Sequence, residues 1–211
     1  MLLAGIDDRV KAAAPSCGGV SDRKDDPLMR DTIGDDVYLK RITCPIVFLK
    51  PANDFHGNIE DLQTAVKEIQ SRDWRVTCAA HHQHQDTAPY DVATQLWFDQ
   101  YLKDTFAWPA TPRTKLTLAS GDGLPEFTVF PDPAREILAV DVFYTRHGNE
   151  QKAADRFWHF AAPQPDGERW TAKLPLHRVD QPLWVYANVY YRLDEPVSGA
   201  GYYYATYTAD R

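Results

Sequence analysis

A chain of 211 residues with 44% hydrophobic side chains is long enough to bury one large core or two small ones, which excludes an intrinsically disordered segment. A formal net charge of -7, with no clustered cationic stretch, excludes the attraction that nucleic acids and anionic membranes require, and leaves small molecules or neutral polymers as expected partners. Cys17, Cys44 and Cys78 are an odd number without metal-site spacing and no apolar run has transmembrane length, so no disulfide framework, metal, cofactor or membrane span is expected.

In chain order, "MLLAGIDDRVKAAAPS" fails as a signal peptide because Asp7 and Asp8 interrupt it after Ile6. It reads as a segment already running, with a helix end or loop at Ala4 to Arg9 that feeds a short strand, Val10 to Pro15. The far end, "GAGYYYATYTADR", stops inside an alternating strand pattern, so a fragment is expected at both ends and no targeting segment fixes a compartment. A charged loop, "SDRKDDPLMRDTIGDD", follows the first strand. "ITCPIVFLK" is a nearly continuous apolar run of strand length, the pattern of a parallel strand covered on both faces. Asn58 is the expected N-cap of the next helix, where Ile59, Leu62, Val66 and Ile69 line one face. "WRVTCAA" is a second buried strand, and Cys44 and Cys78 in these runs read as small apolar core residues. After "HHQHQD", the stretch "PYDVATQLWFDQYLKD" is a helix with Pro89 near its start and Val92, Leu96 and Trp97 on one side.

Strand, helix, strand, helix predicts roughly half of a doubly wound α/β sheet over residues 1–110. Composition shifts at "FAWPATPRTK", which is read as a linker with the boundary near Thr111. From there to residue 211, seven aromatic and β-branched runs separated by Gly, Pro, Asp and Asn predict a β-sandwich. The aromatic rings of Trp158, Trp170 and Trp184 are expected to be core, and "YYYATY", Tyr202 to Tyr207, is the best candidate for an exposed binding face. A half sheet would also leave an apolar edge at Val10 to Pro15, through which a dimer is expected.

Functional side chains in an open parallel sheet gather beyond the carboxyl ends of its strands. Asp54, in "PANDFHG", follows the first apolar run by a short turn, and His81, His82 and His84 follow the second directly. An acid paired with a histidine is the orienting half of a catalytic triad, because the carboxylate fixes the imidazole tautomer and steadies the imidazolium. The alternatives at this point are an Asx turn at Asn53 and Asp54, a metal site built from the three histidines and Asp86, and a local hydrogen bond between His56 and Asp54. His147, His159 and His177 read as surface or packing residues. The serine is missing: no G-x-S-x-G occurs, and Ser16 in "APSCG" is followed by a loop where a nucleophile elbow needs a helix. Cys17 is a still weaker nucleophile on the same ground.

"AGIDDRVKAAAPSCGG", "ITCPIVFLKPANDFHGNIEDL" and "HHQHQDTAPYDVATQLWFDQYLKD" together resemble the C-terminal part of the dienelactone hydrolase and acetyl xylan esterase-like branch of the α/β-hydrolases, which is related to the prolyl oligopeptidase-type serine hydrolases. The resemblance covers residues 2 to about 104, and it implies that "GIDDRVKAAAPS" is the strand after the elbow helix, so that the nucleophile would lie upstream of Met1. It implies Asp54 as the triad acid, although Pro51 stands where the family turn has glycine, and His84 as the base, with His82 and His81 as alternates. The β-rich part resembles the accessory sandwich of some secreted bacterial hydrolases. The expected function is therefore the acid-and-base half of a carboxylic ester hydrolase, inactive alone, acting on a small-molecule or carbohydrate ester and secreted or periplasmic when complete. The other reading is a non-catalytic module that binds a glycan or a protein.

Overall fold

A computed structural model describes residues 1–18, 26–34, 37–57, 59–119, 121–147, 152–176, 182–197 and 201–210. Asn58, the expected N-cap, and His177 lie outside the described residues, as do the side chains of Tyr202 to Tyr207. The chain divides into two compact units, Met1–Trp108 and Pro109–Arg211.

In the first unit β1, Ile46–Pro51, is buried along its whole length and pairs in parallel with β2, Trp74–Ala79, in a register that runs from Ile46 opposite Trp74 to Pro51 opposite Ala79. Residues 13–17 lie along the other side of β1. They donate through Ala13 N–H to the Pro45 carbonyl (2.9 Å) and Cys17 N–H to that of Leu49 (2.9 Å), and accept from Val47 N–H (2.9 Å) and Leu49 N–H (3.0 Å). The expected strand Val10 to Pro15 is thus reduced to parallel bridges at Ala13 and Ser16. The helices are short: α1 is Leu2–Ile6, α2 is Pro27–Thr32, α3 is Leu62–Glu68, and α4 is Ala88–Phe98, which continues as a π-helical turn through Lys103. Val92, Leu96 and Trp97 are buried on α4, where the Trp97 ring packs against Tyr101 (4.6 Å between centroids) and Trp108 (5.4 Å).

Among the described residues the second unit holds two four-stranded antiparallel sheets. One has the order β3-β4-β8-β7, formed by Arg113–Thr117, Glu126–Phe130, Arg169–Lys173 and Gln164–Asp166. The other has the order β10-β9-β5-β6, formed by Gly201–Asp210, Trp184–Val197, Ile137–Thr145 and His159–Ala161. Trp184 to Val189 of β9 are all buried, because β9 lies between two paired strands and both faces are covered. Trp158 and Trp184 are core residues: Trp158 meets Tyr186 edge to face (4.9 Å), and the Arg156 guanidinium lies 4.5 Å over the Trp184 ring.

These facts overturn the expected fold class, a partial α/β-hydrolase doubly wound sheet followed by a sandwich. Among the described residues the molecule is mostly sheet, ten strands in three sheets, with α-helices of five to eleven residues. A doubly wound sheet needs a run of parallel strands with helices on both faces, and the parallel sheet here has two strands. A continuous apolar run reports burial on both faces of one strand; it does not report how many strands share the sheet.

Candidate functional site

The parallel register brings the carboxyl ends of β1 and β2 level, and the chain stays paired for a short distance beyond them. Ala52 N–H donates to the Ala79 carbonyl (2.9 Å) and Asn53 N–H to that of His82 (3.0 Å), which ties the turn after β1 to the loop after β2. Asp54 stands at the end of this tie with a fully buried side chain. Its Oδ1 accepts the His56 backbone N–H (2.8 Å), which fixes the carboxylate plane. His84 Nδ1 lies 3.1 Å from Oδ1 and 3.2 Å from Oδ2 of the same carboxylate, while its side chain is 45% exposed. Its ring is flanked by Phe55 (5.4 Å between centroids) and His56 (5.9 Å).

The other two histidines take different places. His82 Nδ1 is 2.8 Å from the carbonyl oxygen of Ala80, and His81 is exposed on the turn with φ of 61°. Of the cluster, His84 is the member bonded to Asp54. The Asx turn considered from the sequence is also present, since the bond from His56 N–H closes it.

A third segment reaches the same rim, a convergence the strand pattern alone did not disclose. Cys17 ends the 13–17 segment with φ of 58°, left-handed backbone that costs a non-glycine residue about 1–2 kcal/mol. Gly57 lies directly on it: a Cβ at this position would be 2.1 Å from the Cys17 carbonyl oxygen, so only glycine allows the approach. Lys50, buried at the end of β1, donates from Nζ to the Gly57 carbonyl (3.2 Å) and holds that turn down. Burial pushes the Cys17 thiol above its ordinary pKa; a bond from Ser16 opposes this, and the charges of Asp54 and Asp86 add to it. The thiol is therefore protonated at neutral pH and is not an activated nucleophile. Ser16 gives its hydroxyl proton to Asp86 (2.6 Å), so its oxygen is not presented to an imidazole.

An ionised carboxylate only accepts hydrogen bonds, so with Asp54 in that form the bond to Nδ1 requires the ring proton of His84 there and leaves Nε2 as an acceptor. That arrangement can take a proton from an incoming hydroxyl or water. The thiol, carboxylate and imidazole also form a compact donor set, since one ligand atom from each of Cys17, Asp54 and His84 lies within 4.8 Å of the other two. No helix among the described residues is long and apolar enough to cross a membrane. Compared with protein-family models, curated proteins and solved structures, the chain finds no match in any of the three.

Proposed function

We propose that the first unit carries the acid and base of a serine-type hydrolase acting on a carboxylic ester, of a small molecule or a carbohydrate, with the nucleophilic serine supplied from outside residues 1–211. The observation that carries the reading is a fully buried Asp54 carboxylate bonded through Nδ1 to an imidazole whose ring is open to solvent. The resemblance of the three segments to dienelactone hydrolase-like enzymes supports it. In the proposed reaction His84 Nε2 accepts the serine proton as the oxygen attacks the ester carbonyl, and Asp54 stabilises the resulting imidazolium. The proton then passes to the departing alkoxide, and a water activated by the same histidine releases the acid. A second copy pairing along residues 13–17 belongs to the same proposal, as does the absence of nucleic acid among the partners.

The test joins this chain to the coding sequence found in frame before residue 1 and assays a chromogenic acetate ester. A preceding G-x-S-x-G with activity that disappears on His84→Ala supports the reading. Hydrolysis by the 211-residue chain alone, at a rate that survives replacing His81, His82 and His84 together, contradicts it.

One observation favours a binding role for the second unit. Phe157 and Phe160 are each 55% exposed, Phe160 beside Phe143 (5.7 Å) on one face of β6 and Phe157 beside His159 (4.9 Å) on the other, exposed aromatic rings of the kind on which sugar rings stack. Retardation in a gel containing a neutral polysaccharide, lost in the Phe157→Ala, Phe160→Ala double variant, is the expected result.

A further inference from the structure

Cys17 is the group at the rim that the acid and base pair leaves without a task. It is 5% exposed, it sits between Ser16 and Asp54, and it reaches the site from a backbone segment separate from those carrying Asp54 and His84. A sulfur, a carboxylate oxygen and an imidazole nitrogen suit a borderline to soft divalent ion; magnesium and calcium prefer oxygen ligands alone. Around a tetrahedral zinc, with bonds of about 2.0–2.3 Å, ligand atoms stand about 3.2–3.7 Å apart, so a cluster already within 4.8 Å closes by small side-chain rotations. The His56 amide that holds the Asp54 carboxylate provides the outer contact that such sites use to orient a ligand. The half-exposed His84 gives the ion a way in from solvent.

We propose that Cys17, Asp54 and His84 form a binding site for a thiophilic divalent cation of the zinc type. On binding, the Cys17 sulfur bonds to the ion and its proton goes to solvent, the ion sheds water molecules, and His84 binds as the neutral imidazole through Nδ1, its ring proton exchanging through solvent from Nδ1 to Nε2. Three protein ligands leave the fourth position for water. The ion competes for the carboxylate and imidazole that the proposed reaction uses, so a loaded site is an inhibited one; this consequence rests on the acid-and-base reading, whereas the binding itself does not.

The experiment titrates the full chain with Co²⁺ and records its absorption spectrum. Expected are a thiolate-to-cobalt charge-transfer band and the visible bands of a four-coordinate ion, saturating at one equivalent and displaced by Zn²⁺. Cys17→Ser should remove the charge-transfer band with the far-ultraviolet circular dichroism unchanged. His84→Ala should weaken binding at least about tenfold, since loss of even an outer-shell partner costs 10–100-fold. A wild-type chain without the charge-transfer band, or a band that persists in Cys17→Ser, overturns the proposal. Should Cys17→Ser fail to fold, His84→Ala decides, and unchanged Co²⁺ affinity overturns it. Cobalt bands in a chain whose joined form hydrolyses no ester would remove the hydrolase reading and leave the metal site standing.

Discussion

Asp54 is a buried carboxylate compensated by a backbone N–H and an imidazole, and each compensation has a separate consequence on mutation. Asp54→Asn keeps the shape of the side chain but puts a donor amide beside Nδ1, which favours the wrong tautomer. In the joined enzyme kcat is expected to fall about 10⁴-fold, the loss seen when a triad acid is replaced this way, with KM little changed in steady-state ester hydrolysis. Gly57→Ala acts by crowding: its Cβ would meet the Cys17 carbonyl oxygen at 2.1 Å and Lys50 Nζ at 3.0 Å. Urea unfolding should show a loss of about 1–3 kcal/mol or more, the range for overpacking. The placement of Asp54 and His84 was legible because both follow apolar runs that end at one rim, and their catalytic role is the proposal. Cys17 was not placed there in advance, since its position depends on a left-handed residue and a glycine packed on its carbonyl, and neither leaves a periodic trace.

Elements that were easy to read are those whose burial is carried by consecutive or alternating apolar residues. β1 announces itself by a nearly continuous apolar run, β2 by the apolar residues of WRVTCA, and the buried side of α4 by Val92, Leu96 and Trp97. β7, Gln164–Asp166, escaped because all three residues are exposed and the strand is held by pairing with β8, not by burial. The doubly wound sheet failed as an expectation because strand type was read correctly where strand number could not be. Two changes test the packing that did form. Trp97→Ala removes a fully buried ring from between Tyr101 and Trp108, and should cost about 3–5 kcal/mol in urea unfolding. Ala187 lies in β9 between Val142 of β5 and Thr208 of β10. A proline there deletes the ladder N–H and leaves a neighbouring carbonyl unsatisfied, which is worth at least about 1–3 kcal/mol, and should lower the thermal midpoint more than Ala187→Val does.

Across the whole molecule, buried thiols and phenols set the response to alkali. Burial raises Cys17 and Cys44 above their ordinary 9.0, and Tyr90, Tyr101 and Tyr144 above their ordinary 10.0. Above those ordinary values the unfolded chain releases protons that the folded chain keeps, so it binds fewer protons and the free energy of unfolding falls as pH rises. The urea midpoint should be lower at pH about 10.5 than at about 8, in both units, since Tyr144 lies in the second and the other four in the first. A midpoint unchanged over that interval would contradict the burial assigned to these groups.

The central claim is that Asp54 holds the proton of His84 on Nδ1 and frees Nε2 to act as a base. The direct measurement is a long-range ¹H–¹⁵N correlation spectrum of the folded chain above neutral pH, with His84 assigned by its loss in His84→Ala. The account predicts a protonated Nδ1 and an unprotonated Nε2, with that preference lost in Asp54→Asn. A proton on Nε2 in the wild-type chain, or a tautomer indifferent to Asp54→Asn, would contradict it.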